Sequence, residues 1–124
     1  ENATSDKKIS ELQDLVKKIT LNEKLTESRE FASKVQGSLR GVSSKGKDRG
    51  VKRAPFVVLI GADMPSILTE IGFLSNAQEE ALLRKSAYRQ KIAEALYQGI
   101  LQYAQTLSHF QVAAHEGASG IDAR

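Results

Sequence analysis

Apolar residues at Ile9, Leu12, Leu15, Val16 and Ile19 recur in steps of three and four. That is the spacing of one helix face. Thr4, Ser5 and Asp6 precede the stripe and are capable N-caps. Lys17 and Lys18 sit where cations favour a helix end. A second stripe follows at Leu25, Ala32, Val35 and Leu39, with Phe31 beside it and Asn22 as a capping residue. The pattern predicts helices over 7–19 and 23–40, or one helix with a break near Thr20.

The period then disappears. Gly41, Gly46 and Gly50 alternate with Ser and Lys, so 41–53 reads as a loop. After Pro55 comes the continuous apolar run Phe56-Val57-Val58-Leu59-Ile60, closed by Gly61. Such a run fits a strand covered on both faces, as in a helix-flanked parallel sheet. Ser66 to Ile71 reads as a second strand, with Leu68 and Glu70 on one face and Ile67, Thr69 and Ile71 on the other. Gly72 ends it. Asn76 with Glu79 three residues later is a capping-box signal for a helix over 77–84. Ser86 opens the longest predicted helix, 86–107, whose stripe is Tyr88, Ile92, Leu96, Ile100, Tyr103 and Leu107. Residues 108–124 lack a period and are expected to be a weakly ordered tail.

The order helix, helix, strand, strand, helix, helix is an α/β pattern. Two strands alone would leave their outer edges unpaired. The expected fold is therefore the C-terminal part of a helix-flanked, mostly parallel sheet whose other strands lie upstream.

Composition narrows the chemistry. The chain has 124 residues, 40% apolar and 27% charged, ordinary for a globular domain. Nothing approaches the ~18 apolar residues of a membrane span. The absence of cysteine excludes disulfides and thiolate zinc sites. A net charge of +3 is unevenly placed: Arg40, Lys45, Lys47, Arg49, Lys52 and Arg53 crowd one segment. That segment is a solvated basic loop or a contact for a polyanion. No aromatic residue lies among these charges, so no nucleic-acid stacking platform is expected.

Glu70 is the candidate for chemistry. A carboxylate inside an apolar run carries a desolvation cost unless it is paired, and such a position suits a group that moves a proton. His109 and His115 are six apart and do not have the tight spacing of two ligands on one helix face. Ser75 and Asn76 are read as capping residues, and Phe73 as a packing residue.

Three stretches carry a resemblance: Arg49 to Leu59, Met64-Pro65-Ser66-Ile67-Leu68-Thr69-Glu70-Ile71-Gly72-Phe73-Leu74-Ser75-Asn76, and Tyr88 to Leu96. Together they resemble the C-terminal half of the zinc-dependent N-acetylmuramoyl-L-alanine amidases, bacterial cell-wall enzymes with an α/β catalytic domain. The ordered run Pro65-x-x-Leu68-x-Glu70-x-Gly72-Phe73-x-Ser75-Asn76 is the specific part. Residues 1–107 would then be the C-terminal half of the catalytic domain. The resemblance implies hydrolysis of the amide between N-acetylmuramic acid and L-alanine of peptidoglycan, with Glu70 as catalytic acid/base. It also implies one Zn2+, held by two histidines and a glutamate in the family's N-terminal half, outside this chain. On that expectation the chain has no metal ligands of its own and is inactive alone. The implied location is the periplasm or cell envelope. An activator protein is compatible with this reading, and no residue specifies one. The region of Lys7 to Thr20 reads first as an ordinary surface helix; the alternative, implied by the resemblance to some relatives, is an inhibitory helix whose Glu11 and Asp14 could reach toward the metal. The competing functions are a non-catalytic wall-binding or regulatory remnant and a basic module that binds a polyanion.

Overall fold

The computed structural model describes residues 2–42 and 48–119, with side chains described as far as residue 107. Among these residues the α-helices are, in order, α1 (Asn2–Leu39), α2 (Ala77–Arg84) and α3 (Ser86–Ser119), with a 3₁₀ turn at Val57–Leu59.

The first two predicted helices are one. Thr20, expected near a break, turns its hydroxyl back to the Val16 carbonyl at 3.0 Å. Thr26 does the same to Asn22 at 2.9 Å. Residues that compete with the backbone for hydrogen bonds here bond within the helix and leave it continuous. Thr4, Ser5 and Asp6 also lie inside α1 rather than before it.

The expected sheet is not formed: among the described residues there is no strand. A run such as Phe56–Ile60 is stable as a strand only beside another strand and under a covering layer. The described residues supply neither. The segment closes on itself instead, through Leu59 N–H to the Phe56 carbonyl at 3.0 Å and Ile60 N–H to the Val57 carbonyl at 3.1 Å. Val57, Val58 and Ile60 are all exposed. Residues 65–73 are irregular, without a ladder.

α2 begins where the capping signal places it and covers the predicted range 77–84. α3 starts at Ser86 but runs past 107 to Ser119. Residues 120–124 of the expected tail lie outside the described residues.

The core is the crossing of α1 and α3. Val35 is 3% exposed, and Ile92, Ala95 and Tyr103 are also buried. Gly99 lies against Val35: a Cβ added there would fall 2.6 Å from the Val35 Cα. Further along, Tyr103 stacks on Phe31 with ring centroids 4.8 Å apart, and its hydroxyl donates to Glu27 Oε2 at 2.7 Å. Contacts that climb α3 as they descend α1 make the two helices antiparallel. Burial pushes the Tyr103 phenol up to about 12, and the adjacent Glu27 carboxylate adds to the shift. Before this crossing, the apolar stripe of α1 from Ile9 to Ile19 is about half exposed.

Candidate functional site

Glu70 lies in the irregular segment that joins the 3₁₀ turn to α2. The sequence reading expects its carboxylate to be held among apolar neighbours. The side chain is instead exposed, as are Leu68 and Ile71. Among the described residues no strand lies on either side to enclose it.

The backbone on each side of Glu70 is nevertheless tied down. On the N-terminal side, Ser66 N–H donates to Ser28 Oγ at 3.0 Å, which rests the segment on α1. On the C-terminal side, Phe73 N–H donates to the Glu79 carboxylate. Asn76 N–H donates to the Phe73 carbonyl at 3.1 Å, closing a turn over 73–76. Asn76 then caps α2: its Oδ1 accepts from Gln78 N–H at 3.0 Å and Glu79 N–H at 3.2 Å. In the usual capping box the third-position glutamate returns to the N-cap N–H. Here that donor is already used, and Glu79 reaches back to Phe73 instead.

Gly72 immediately precedes this turn. A Cβ added to it would meet Glu79 Oε2 at 3.3 Å and Leu83 Cδ1 at 3.4 Å. The missing side chain leaves room for the carboxylate. The Phe73 ring is 43% exposed, and the Arg49 guanidinium lies 4.6 Å above its centroid, within cation–π range.

The far end of α2 is fixed as well. Arg89, one turn into α3, donates from Nη1 to the carbonyls of Leu83 and Arg84, each at 2.8 Å. These are among the carbonyls a helix end leaves without intrahelical partners.

The basic segment is partly neutralised from within. Asp48 accepts from Arg40 Nε, Gln36 Nε2 and Gly50 N–H. The Gly50 N–H first, then Arg40 and Gln36, hold the Asp48 carboxyl below its usual range. Arg49 is committed to Phe73, while Lys52 and Arg53 are exposed. Lys45 and Lys47 lie outside the described residues. A shallow groove of about 480 Å³ between the end of α1 and α3 is lined by Ser38, Val42, Lys91, Glu94 and Tyr97 among others, and by no residue of the Glu70 segment.

The described residues do not fit a zinc site. A catalytic zinc takes three protein ligands, and no group of three His, Cys, Asp or Glu side chains converges among them. His109 and His115 have side chains outside the described set.

Sequence reasoning finds the Asn76 cap. It missed the Glu79–Phe73 bond, the Arg49–Phe73 contact and the Arg89 clamp. Only Arg89 left a usable signal: a long cation just beyond a helix end, where carbonyls need donors.

The profile of the N-acetylmuramoyl-L-alanine amidase family matches residues 4–102. The chain is 43% identical over 77 residues to the "Uncharacterized protein YqiI" of Bacillus subtilis (strain 168), covering 61% of this chain and 36% of that protein. It is 37% identical over 92 residues to the N-acetylmuramoyl-L-alanine amidase AmiA of Escherichia coli (strain K12), covering 74% of this chain and 30% of that one. It is 36% identical over 76 residues to the N-acetylmuramoyl-L-alanine amidase LytC of Bacillus subtilis (strain 168), covering 61% and 15%. The chain thus spans about a third or less of the length of these curated relatives. No solved structure matches it. With the profile running from the first turns of α1 through the crossing with α3, the chain belongs to the N-acetylmuramoyl-L-alanine amidase family.

Proposed function

We propose that this chain serves peptidoglycan hydrolysis, with Glu70 as the acid/base. The bond cut is the amide joining the lactyl group of N-acetylmuramic acid to the L-alanine of the stem peptide. The observation that carries the reading is the ordered run from Pro65 to Asn76, which lies inside the span matched by the family profile. Two relatives bearing the amidase name add support.

Glu70 has the chemistry the reaction needs. Its carboxylate takes a proton from the water attacking the amide carbonyl. The resulting carboxylic acid then protonates the nitrogen of L-alanine, which leaves as an amine. Transfers of this kind contribute about 10²–10⁴-fold to a rate. The side chain lacks the enclosed setting expected of it, so the role rests on the Pro65 to Asn76 run and the family match. The substrate sets the place of action outside the cytoplasm, at the cell envelope. No helix among the described residues is long and apolar enough to cross a membrane.

The test is digestion of purified peptidoglycan by the intact protein, with mass spectrometry of the released stem peptides. Peptides with a free L-alanine amino terminus are expected, and Glu70→Gln lowers their release by at least about 100-fold. Undiminished release by that variant refutes the role of Glu70. Products cut at a sugar–sugar or peptide–peptide bond refute the reaction.

A further inference from the structure

We infer that Glu79 is a positioning residue for Glu70. It would hold the chain two and three residues beyond the acid in one fixed path. The inference rests on the reading of Glu70 as acid/base.

Three observations carry it. First, the Glu79 carboxylate is not used as its helical position suggests. The third residue of a helix normally closes on the N-cap N–H, but the Asn76 N–H already donates to the Phe73 carbonyl at 3.1 Å. Glu79 bypasses it and accepts from Phe73 N–H. The backbone at Phe73 is therefore held through both its polar groups, one by the Asn76 backbone and one by the Glu79 side chain.

Second, Gly72 leaves this bond uncrowded. Any side chain there begins with a Cβ 3.3 Å from Glu79 Oε2 and 3.4 Å from Leu83 Cδ1, and would press on the carboxylate. Gly72 stands two residues from Glu70.

Third, the adjacent acid is spent differently. Glu80 pairs with Arg84 one turn along α2, Oε1 to Nη2 at 2.6 Å. This is an ordinary exposed helix pair. Two neighbouring glutamates of equal charge and similar distance from the helix start therefore do separable work. Glu80 supplies the control that Glu79 needs.

The mechanical consequence follows from the anchors. α2 is held to α3 by Arg89 on the Leu83 and Arg84 carbonyls. Glu79 passes that fixity to Phe73, and Ser28 supplies the opposite anchor at Ser66. Without Glu79, the segment bearing Glu70 keeps its N-terminal anchor and the 73–76 turn but loses its direct bond to α2. A misplacement of about 1 Å in a reacting group can cost about 100-fold in rate.

The experiment pairs amide NMR of the chain with kinetics of the intact protein on soluble muropeptides. In Glu79→Ala the Phe73 amide is expected to lose its downfield shift and its exchange protection, while α2, still capped by Asn76, stays helical. The kcat falls by up to about 100-fold with KM unchanged. Glu79→Gln keeps an acceptor oxygen and restores most of both signals, and Glu80→Ala changes neither. An unaltered Phe73 amide in Glu79→Ala, or an equal fall in kcat in Glu80→Ala, overturns the inference. Loss of turnover in Glu70→Gln beside unchanged kcat in Glu79→Ala overturns it alone. Full turnover in Glu70→Gln overturns the acid/base reading and this inference together.

Discussion

Gly99 and Val35 meet so closely that α3 touches the backbone of α1: a Cβ on Gly99 would stand 2.6 Å from the Val35 Cα and 3.1 Å from its nitrogen. Neither atom belongs to a flexible side chain, so the helices themselves would have to move apart. Around this point lie the buried residues Ile92, Ala95 and Tyr103.

Gly99→Ala is therefore expected to destabilise the chain. Alanine gains about 1 kcal/mol of helix propensity over glycine, but overpacking at a backbone contact costs about 1–3 kcal/mol. The clash wins because it prises apart the main contact between the long helices. Gly37, inside α1, has nothing within 4 Å of its added Cβ. There Gly37→Ala should stabilise by about 0.5–1 kcal/mol. Urea midpoints that move in opposite directions for the two variants would confirm the assignment; a stabilised Gly99→Ala would refute the close crossing.

Tyr103 gives the chain an alkaline limit. Its phenol is raised from 10.0 to about 12 in the folded state, chiefly by burial and next by Glu27. The unfolded chain thus releases this proton first as the pH rises. The stabilising contribution is complete below pH 10 and is lost as the pH climbs towards about 12. Tyr103→Phe should remove that part of the decline in urea midpoint between these values. At neutral pH the same variant loses the bond to Glu27, a cost of about 1 kcal/mol. An alkaline decline of the same size in Tyr103→Phe would assign the limit to another group.

The two ends of α2 should respond separately. Asn76→Ala removes the side-chain cap on Gln78 and Glu79, at a cost of about 1 kcal/mol. Asn76→Asp should retain most of it. Arg89→Ala removes both donations to the Leu83 and Arg84 carbonyls, again about 1 kcal/mol. Amide exchange distinguishes them: the first variant speeds exchange at Gln78 and Glu79, the second loosens the last turn around Leu83 and Arg84. Identical patterns in both variants would mean that α2 melts as a unit with no separate clamp.

What the sequence makes legible here is local. Asn76 and Glu79 announce α2 because a cap and its partner are three residues apart, and α3 is announced by the apolar stripe that begins at Tyr88. The Pro65 to Asn76 run is legible because its information lies in order along the chain. Phe56–Ile60 was misleading because an apolar run becomes a strand only beside another strand, and that condition cannot be seen within the run. Thr20 and Asn22 look like punctuation, yet one hydroxyl on the Val16 carbonyl is enough to accommodate Thr20 inside α1. Glu70 was placed in an enclosed setting by the same reasoning that placed the sheet, and both expectations fail together. The Phe73 interactions with Glu79 and Arg49 depend on how the loop folds over α2, which no spacing rule encodes.

Ser28, which receives the Ser66 amide, and Val35, which receives Gly99, stand seven residues apart on α1, about two turns of helix. They therefore share an angular phase. Deleting one residue between them would swing Ser28 by about 100° around the axis and draw it about 1.5 Å nearer, taking it away from Ser66 while Val35 stays seated. Between these two residues α1 tolerates changes of length only in near-whole turns.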